Sequence, residues 1–407
     1  MNITVFPKKL SGQVTVPPSK SVAHRMVIAA ALSNGVSEIT NLYPSVDILA
    51  TMDCMRALGA KIDFDGDKAV IEGIKDIPES AVLDCCESGS TLRFLIPVAC
   101  ALGVDTKFIG RGRLPQRPIT PYLEEFPKHG VSFEYNNTMP FSTNGKLTGG
   151  KFYVDGGISS QFITGLLFAL PLLEEDSEII LTSHLESKPY VDITLGTLRE
   201  HGCQVEETEN GYFVKGGQHY MPFSGRVEGD YSQAAFFKVA NSLGSDIDIA
   251  GLSEKSFQGD KKIVEICEKI VYNKNGGLRP FDLDCSDIPD LVPVLTVLGS
   301  FCEGKSYIRN ATRLRIKECD RLSAISQCLN AIGGKVTEDG LEIEGVGSLN
   351  GGEVDSFNDH RIAMSMAVAA TRCTSPLKIN GAECVSKSYP DFFEVYESIG
   401  GEISREP

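Results

Sequence analysis

A glycine set between a helix-like segment and a β-rich stretch recurs along this chain, at Leu58-Gly59-Ala60, His129-Gly130-Val131, His201-Gly202-Cys203, Ile332-Gly333-Gly334 and Ile399-Gly400-Gly401. Successive marks lie roughly 70 residues apart, except for one gap of about twice that, which the degenerate copy Glu268-Lys269-Ile270-Val271 fills. About 40 residues before each mark a short polar turn opens an apolar run. These turns are Ser19-Lys20-Ser21, Ser88-Gly89-Ser90, Ser159-Ser160-Gln161, Asp230-Tyr231-Ser232, Asp287-Ile288-Pro289-Asp290 and Asn358-Asp359-His360. Ser, Asp and Asn cap helices and Pro289 suits a first turn, so six helix N-termini recur in phase.

A second helix start falls inside most units, at Arg117-Pro118-Ile119, Ser187-Lys188-Pro189-Tyr190, Gln258-Gly259-Asp260, Lys317-Glu318 and Lys387-Ser388-Tyr389-Pro390. Each unit therefore reads as strand, helix, strand, helix and two strands, with Lys61 to Phe64 and Ala69 to Glu72 as examples of the closing pair. With no low-complexity segment or Pro/Ser linker, the repeat count sets the boundaries: three units up to about Glu228 and three after it. The expected architecture is α/β, two three-repeat domains with a cleft between them.

Composition limits what such a chain binds. The 407 residues are 42% hydrophobic with a net charge of −15, which excludes a disordered polymer and a broad basic face for nucleic acid or anionic lipid. Twelve Cys form no CxxC pair and His201 with Cys203 lacks zinc-ligand spacing, so buried, reduced thiols and no metal are expected. Met1 to Leu10 has no apolar signal core, and the stretches near Phe94 to Val104 and Gly165 to Leu173 fall well short of the about 20 residues needed to span a membrane. A cytoplasmic protein is expected. In an acidic chain, any anion must be held by a local cationic cluster.

Such a cluster is present in the pattern. Lys20, Ser21 and Arg25 occupy the first turns of one helix, and cations recur at matched phases as Arg93, Arg117, Lys188, Lys317, Arg321, Arg361 and Lys387. A cation at a helix N-terminus opposes the dipole, and a bound anion there relieves the conflict. The set thus predicts a ligand carrying phosphate and carboxylate. Asp290 and Glu318 are the acids near these starts suited to proton transfer, with capping and plain ion pairing as their alternative uses; His360 reads as a capping or packing residue. Gly299-Ser300-Phe301-Cys302-Glu303-Gly304-Lys305-Ser306 matches the nucleotide phosphate loop, but it follows a helical segment, Leu291 to Leu298, and precedes a strand, Tyr307 to Arg309, the reverse of what that loop needs.

These residues resemble a known family, 5-enolpyruvylshikimate-3-phosphate synthase (3-phosphoshikimate 1-carboxyvinyltransferase). The resemblance covers nearly the whole chain. It rests on Pro18-Ser19-Lys20-Ser21 with Arg25, Ser88-Gly89-Ser90-Thr91-Leu92-Arg93, Gln116-Arg117-Pro118-Ile119, Ser159-Ser160-Gln161-Phe162, Ser187-Lys188-Pro189-Tyr190, Lys317-Glu318-Cys319-Asp320-Arg321, Asn358-Asp359-His360-Arg361 and Lys387-Ser388-Tyr389-Pro390-Asp391. It implies two similar domains of three βαβαββ units, each around a pseudo-threefold axis, with the active site in the interdomain cleft. One domain spans 18–228 on the shikimate 3-phosphate side, and 1–17 plus 229–407 completes the phosphoenolpyruvate site. It also implies the reaction: the enolpyruvyl group of phosphoenolpyruvate passes to the 5-hydroxyl of shikimate 3-phosphate through a tetrahedral intermediate, releasing phosphate, on the route to chorismate and aromatic amino acids.

By the same resemblance Lys20, Ser21, Arg25, Ser159, Ser160, Gln161, Ser187, Tyr190, Asp290 and Lys317 hold shikimate 3-phosphate. Lys20, Gly89, Ser90, Arg117, Gln161, Arg321, Arg361 and Lys387 hold phosphoenolpyruvate. Lys20, Asp290 and Glu318 are the catalytic candidates. No cofactor, no metal, a monomer and small-molecule substrates are implied, with no nucleic acid or membrane partner. Gly89 resembles the glyphosate-sensitive pattern. Two departures are Glu87 and Arg313, where members of the family carry Asn. The rival readings are the transferase acting on UDP-N-acetylglucosamine, whose reactive Cys has no counterpart in Gly110 to Arg117, and a non-catalytic module that binds phosphorylated metabolites.

Overall fold

The computed structural model describes residues 1–270, 277–338 and 341–406. The chain divides into two compact units, Met1–Pro17 with Gly229–Pro407, and Pro18–Glu228. Each has its own apolar core.

In the Pro18–Glu228 unit the plainest repeat runs from strand Ser80–Asp84 through helix Gly89–Leu102, strand Asp105–Ile109 and helix Thr120–Glu125 to strands Ser132–Glu134 and Phe141–Asn144. The first two strands pair in parallel, Ser80 opposite Asp105, and the fourth strand lies antiparallel between the second and third. The next repeat, from Gly150–Val154 to Gly211–Val214, has the same order. The first sheet takes its opening strand from the far end of the unit: Gly225–Arg226 runs parallel to Val36–Thr40.

The other unit follows the same plan. A complete sheet is built from Asp282–Asp284, Lys305–Arg309, Lys335–Thr337 and Glu342–Glu344. In the last repeat the N-terminal strand Asn2–Phe6 fills the fourth position, antiparallel to both Leu377–Asn380 and Glu402–Glu406. Ser11–Thr15 then opens the fourth repeat by pairing in parallel with Asp246–Ala250, the two-stranded sheet of that repeat among the described residues. Its helix Lys262–Ile270 carries the start of the degenerate mark, and Val271 lies outside the described residues.

Burial explains the layering. Helix His360–Ala370 is buried from end to end and Gly89–Leu102 nearly so, whereas strands such as Val36–Thr40 bury alternate residues. Helices apolar all round occupy the interior, and half-polar sheets turn one face to water. The recurring glycine has a local cause as well. Gly59, Gly130, Gly202, Gly333 and Gly400 all have positive φ, from 78° to 107°, where a side chain would be strained as the helix ends.

The opening turns also behave as capping chemistry predicts: Ser88, Ser159, Asp230 and Asp359 each accept a backbone N–H of the helix they start. Three starts are displaced. Pro289–Leu291 forms a 3-10 turn before helix Val292–Gly299, while the helices after Lys317 and Lys387 begin at Arg321 and Phe392, capped by Asp320 and preceded by Asp391. Gly299 closes a helix and Lys305 opens a strand, with Lys305 paired to Glu342, so the phosphate-loop match is a helix-to-strand turn. All twelve cysteines are free, and all but Cys86 are buried; Cys86 lies half-buried with Arg111 Nη2 2.8 Å from its sulfur. Among the described residues no helix is long and apolar enough to cross a membrane.

Candidate active site

In the Pro18–Glu228 unit the predicted residues gather at helix N-termini. Lys20 opens helix Lys20–Ala31, and its Nζ lies 2.9 Å from Asp47 Oδ2. Ser21 follows, and its carbonyl accepts from Arg25 Nη1 at 2.6 Å. Arg25 is 2% exposed, and its guanidinium donates besides to Thr194 Oγ1 (2.8 Å), the Tyr190 carbonyl (2.9 Å) and Thr164 Oγ1 (3.4 Å), all neutral oxygens. Burial pushes Arg25 down to about 9, which still leaves it charged at neutral pH. A buried cation bonded only to neutral dipoles retains a strong demand for an anion.

Two further elements converge on the Gly89 turn. Gln161, in the first turn of helix Ser160–Ala169, donates to Ser90 Oγ (2.9 Å) and accepts from Arg93 Nη1 (2.7 Å). Arg93 also reaches the Pro118 carbonyl at 3.0 Å, tying the Arg117 loop to the same turn. The Arg117 guanidinium lies flat against Gly89: a Cβ there would stand 2.5 Å from Arg117 Cζ. Ser159 and Ser160 open the neighbouring helix, while Ser187 caps helix Lys188–Glu200 in a left-handed conformation, φ 60°, one that a non-glycine residue adopts at a cost. Glu87 packs on Gly112 and its charge acts on Arg111. Lys188, counted among the phased cations, is turned to Asp192 (2.5 Å) and Glu207 (3.4 Å).

In the unit formed by Met1–Pro17 and Gly229–Pro407 the cations meet carboxylates. Arg321, the first residue of its helix and 2% exposed, donates Nε to Asp359 (2.7 Å), Nη1 to Asp290 (3.0 Å) and Nη2 to Glu318 (2.7 Å). Arg361 joins through Asp290 Oδ2 at 2.8 Å and donates to Ser232 Oγ at 3.2 Å, and Ser232 in turn donates to Asp230 at 2.6 Å. Burial alone would raise the Asp290 carboxyl, but Arg361, Arg321 and Lys317 outweigh it and hold it far below the usual carboxylate range. Lys387 donates to the Asn358 carbonyl at 2.8 Å, and His360 is buried with Nδ1 3.9 Å from Asp359. Arg313 donates to the Ser286 carbonyl.

The expectation that a bound anion relieves the conflict between these cations and their helices is thus met in part from within the chain. At Arg321, Arg361 and Lys20 the protein's own carboxylates fill that role, whereas Arg25 has none among the described residues. Sequence reasoning passed over two of those carboxylates. Asp359 read as a cap and is one, through Oδ1 to the Arg361 N–H, but it also grips Arg321. Asp47 sits in a first helical turn, where an acid needs no special explanation.

A model of the EPSP synthase (3-phosphoshikimate 1-carboxyvinyltransferase) family matches residues 5–396. The chain belongs to this family. A relative named 3-phosphoshikimate 1-carboxyvinyltransferase from Clostridium perfringens is 47% identical over 421 aligned residues, covering 99% of each chain. One of the same name from Clostridioides difficile is 46% identical, covering 99% of this chain and 98% of its own. Among solved structures, EPSP synthase from Acinetobacter baumannii matches with a TM-score of 0.83 at 26% identity, over 99% of this chain and all of that one. In this chain that fold carries both clusters of cations at helix starts that the repeat made visible.

Proposed function

We propose that this chain transfers the enolpyruvyl group of phosphoenolpyruvate to the 5-hydroxyl of shikimate 3-phosphate and releases phosphate, the activity named by its family. The observation that carries the reading is the Arg321 cluster, in which one buried guanidinium is shared by three carboxylates, two of them the candidate proton-transfer groups Asp290 and Glu318. A binding module has no need of such an arrangement, because carboxylates around the binding cation weaken its hold on an anion.

In this reading both domains, 18–228 and 1–17 plus 229–407, supply substrate-binding residues. Lys20, Ser21, Arg25, Ser159, Ser160, Gln161, Ser187, Tyr190, Asp290 and Lys317 hold shikimate 3-phosphate, and Arg25 supplies a cation without a carboxylate of its own. Gly89, Ser90, Arg117, Gln161, Arg321, Arg361 and Lys387 hold phosphoenolpyruvate together with Lys20. A substrate carboxylate that seats on Arg321 and Arg361 competes with Glu318 and Asp290 for them. As either acid loses its cation its affinity for protons rises, which suits Glu318 to deliver a proton to the methylene carbon and Asp290 to orient or deprotonate the attacking hydroxyl. Lys20 meets the developing charge and exchanges protons at the intermediate. A monomer in the cytoplasm completes the proposal.

The test is phosphate release from phosphoenolpyruvate with shikimate 3-phosphate, with UDP-N-acetylglucosamine and with neither acceptor. Release only with the first supports the reading; release with the sugar nucleotide moves the activity to the sister transferase, and silence with both favours a binding module. Glyphosate is expected to inhibit in competition with phosphoenolpyruvate, and indifference at millimolar inhibitor contradicts that. Gly89→Ala forces the Arg117 guanidinium off its seat, so its KM for phosphoenolpyruvate should rise about tenfold with the melting temperature unchanged. An unaltered KM would show that Arg117 is not a ligand in this position.

A further inference from the structure

Asp47 stands in the first turn of helix Val46–Ala57, nearly buried, with Oδ2 2.9 Å from Lys20 Nζ. Lys20 carries its ammonium on a four-carbon stem with many rotamers, and an ion pair removes most of that freedom. Asp47 is itself anchored. Its carbonyl accepts from Thr51 at 3.3 Å, and Thr51 is one link of a buried polar chain: His24 Nδ1 to Thr51 Oγ1 (2.7 Å), Thr51 to Thr91 Oγ1 (2.7 Å) and Thr91 to Ser88 Oγ (2.8 Å). His24, Thr51, Thr91 and Ser88 are each at most 1% exposed.

These four side chains belong to three helices or their caps. His24 lies one turn beyond Lys20, Thr51 one turn beyond Asp47, and Ser88 caps the Gly89 helix. Rotating any one helix would break a buried hydrogen bond and leave a donor or acceptor without water to replace it. Burial, followed by the charges of Lys20 and Arg25, keeps His24 neutral, so the chain adds no competing charge behind Lys20. The chain fixes where Asp47 stands relative to the Gly89 turn, and Asp47 fixes where the Lys20 ammonium stands.

We propose that Asp47 is a positioning residue for the transfer reaction, acting through Lys20: it holds the ammonium in register with the Gly89 turn so that both meet the same phosphate-bearing substrate. The proposal rests on the functional reading above and assigns a role to a residue that reading does not use.

The test compares wild type, Asp47→Asn, Lys20→Met and the double variant by phosphate release with shikimate 3-phosphate. Asp47→Asn should lower kcat at least tenfold, with the KM for shikimate 3-phosphate within twofold of wild type. In the Lys20→Met background the same change should cost less than a further twofold, because its target is gone. A merely structural Asp47 would lose activity equally in both backgrounds, and that multiplication of losses would overturn the proposal, as would a kcat within twofold of wild type for Asp47→Asn. Should Asp47→Asn not fold, Asp47→Ser carries the same comparison. A wild type silent with shikimate 3-phosphate overturns the functional reading and this assignment together, whereas an active wild type with an indifferent variant overturns only the assignment.

Discussion

Arg321→Met is expected to abolish turnover and to lower the melting temperature of the unit that carries it by about 10 °C. The guanidinium is 2% exposed and bonds three carboxylates that converge from separate segments, Asp290, Glu318 and Asp359. Met fills much of the same volume, but it leaves those acids crowded together without their common partner. Removing one member of a buried ion pair costs about 3–5 kcal/mol, and each kcal/mol moves the melting point of a unit this size by about 2–4 °C.

The pH dependence separates this cause from lost packing. Asp290 is held below its unfolded value, so its pairing contributes stability above the ordinary carboxylate range, about pH 4, and that contribution fades as acid protonates the group. The gap between wild type and variant should therefore be full at pH 7 and narrow below about pH 4. Calorimetry at both ends decides it; a gap that stays constant into acid would point to packing instead.

Glu318→Gln is the second large effect, and it divides chemistry from binding. The amide keeps an oxygen to accept the bond that Arg321 Nη2 makes to Glu318 at 2.7 Å, so the local geometry survives. What it loses is the capacity to give and take a proton, worth about 10²- to 10⁴-fold in rate for a general acid or base. Turnover should fall by that factor while shikimate 3-phosphate binds within a few-fold of wild type. Retained turnover would remove Glu318 from the proton-transfer role and leave it a plain partner of Arg321.

What could be read from the sequence was local. The polar turns before Gly89, Ser160, Tyr231 and His360 cap helices by contacts two or three residues long, and the spaced glycines end helices in a conformation that only they adopt cheaply. Both signals are written in adjacent residues, which is why the six-fold phase was visible. Pairing over distance was not. Nothing near Gly225 announces that it closes the sheet begun at Val36, and nothing in Asn2–Phe6 announces a place between Leu377–Asn380 and Glu402–Glu406.

The candidate site shows the same divide. Cations at helix starts stood out because they oppose the local dipole, whereas the acids answering them, Asp47 to Lys20 and Asp359 to Arg321, sit where acids are ordinary. Their roles arise only when segments 27 and 38 residues apart are brought together.

The strand exchanges have one more consequence. Ser19 N–H bonds the Glu228 carbonyl at 2.7 Å, and Asp230 N–H bonds the Pro17 carbonyl at 2.9 Å, so the segment Pro18–Glu228 leaves and rejoins the chain at a single doorway. A stretch whose two ends touch can be lifted out of a gene as one cassette, and the remaining ends, Pro17 and Gly229, already lie near enough to be spliced. Half of this protein is thus laid out as an insert with a core of its own and adjacent ends, the geometry in which domain insertion is tolerated, and its two boundaries fall between strands rather than within a sheet.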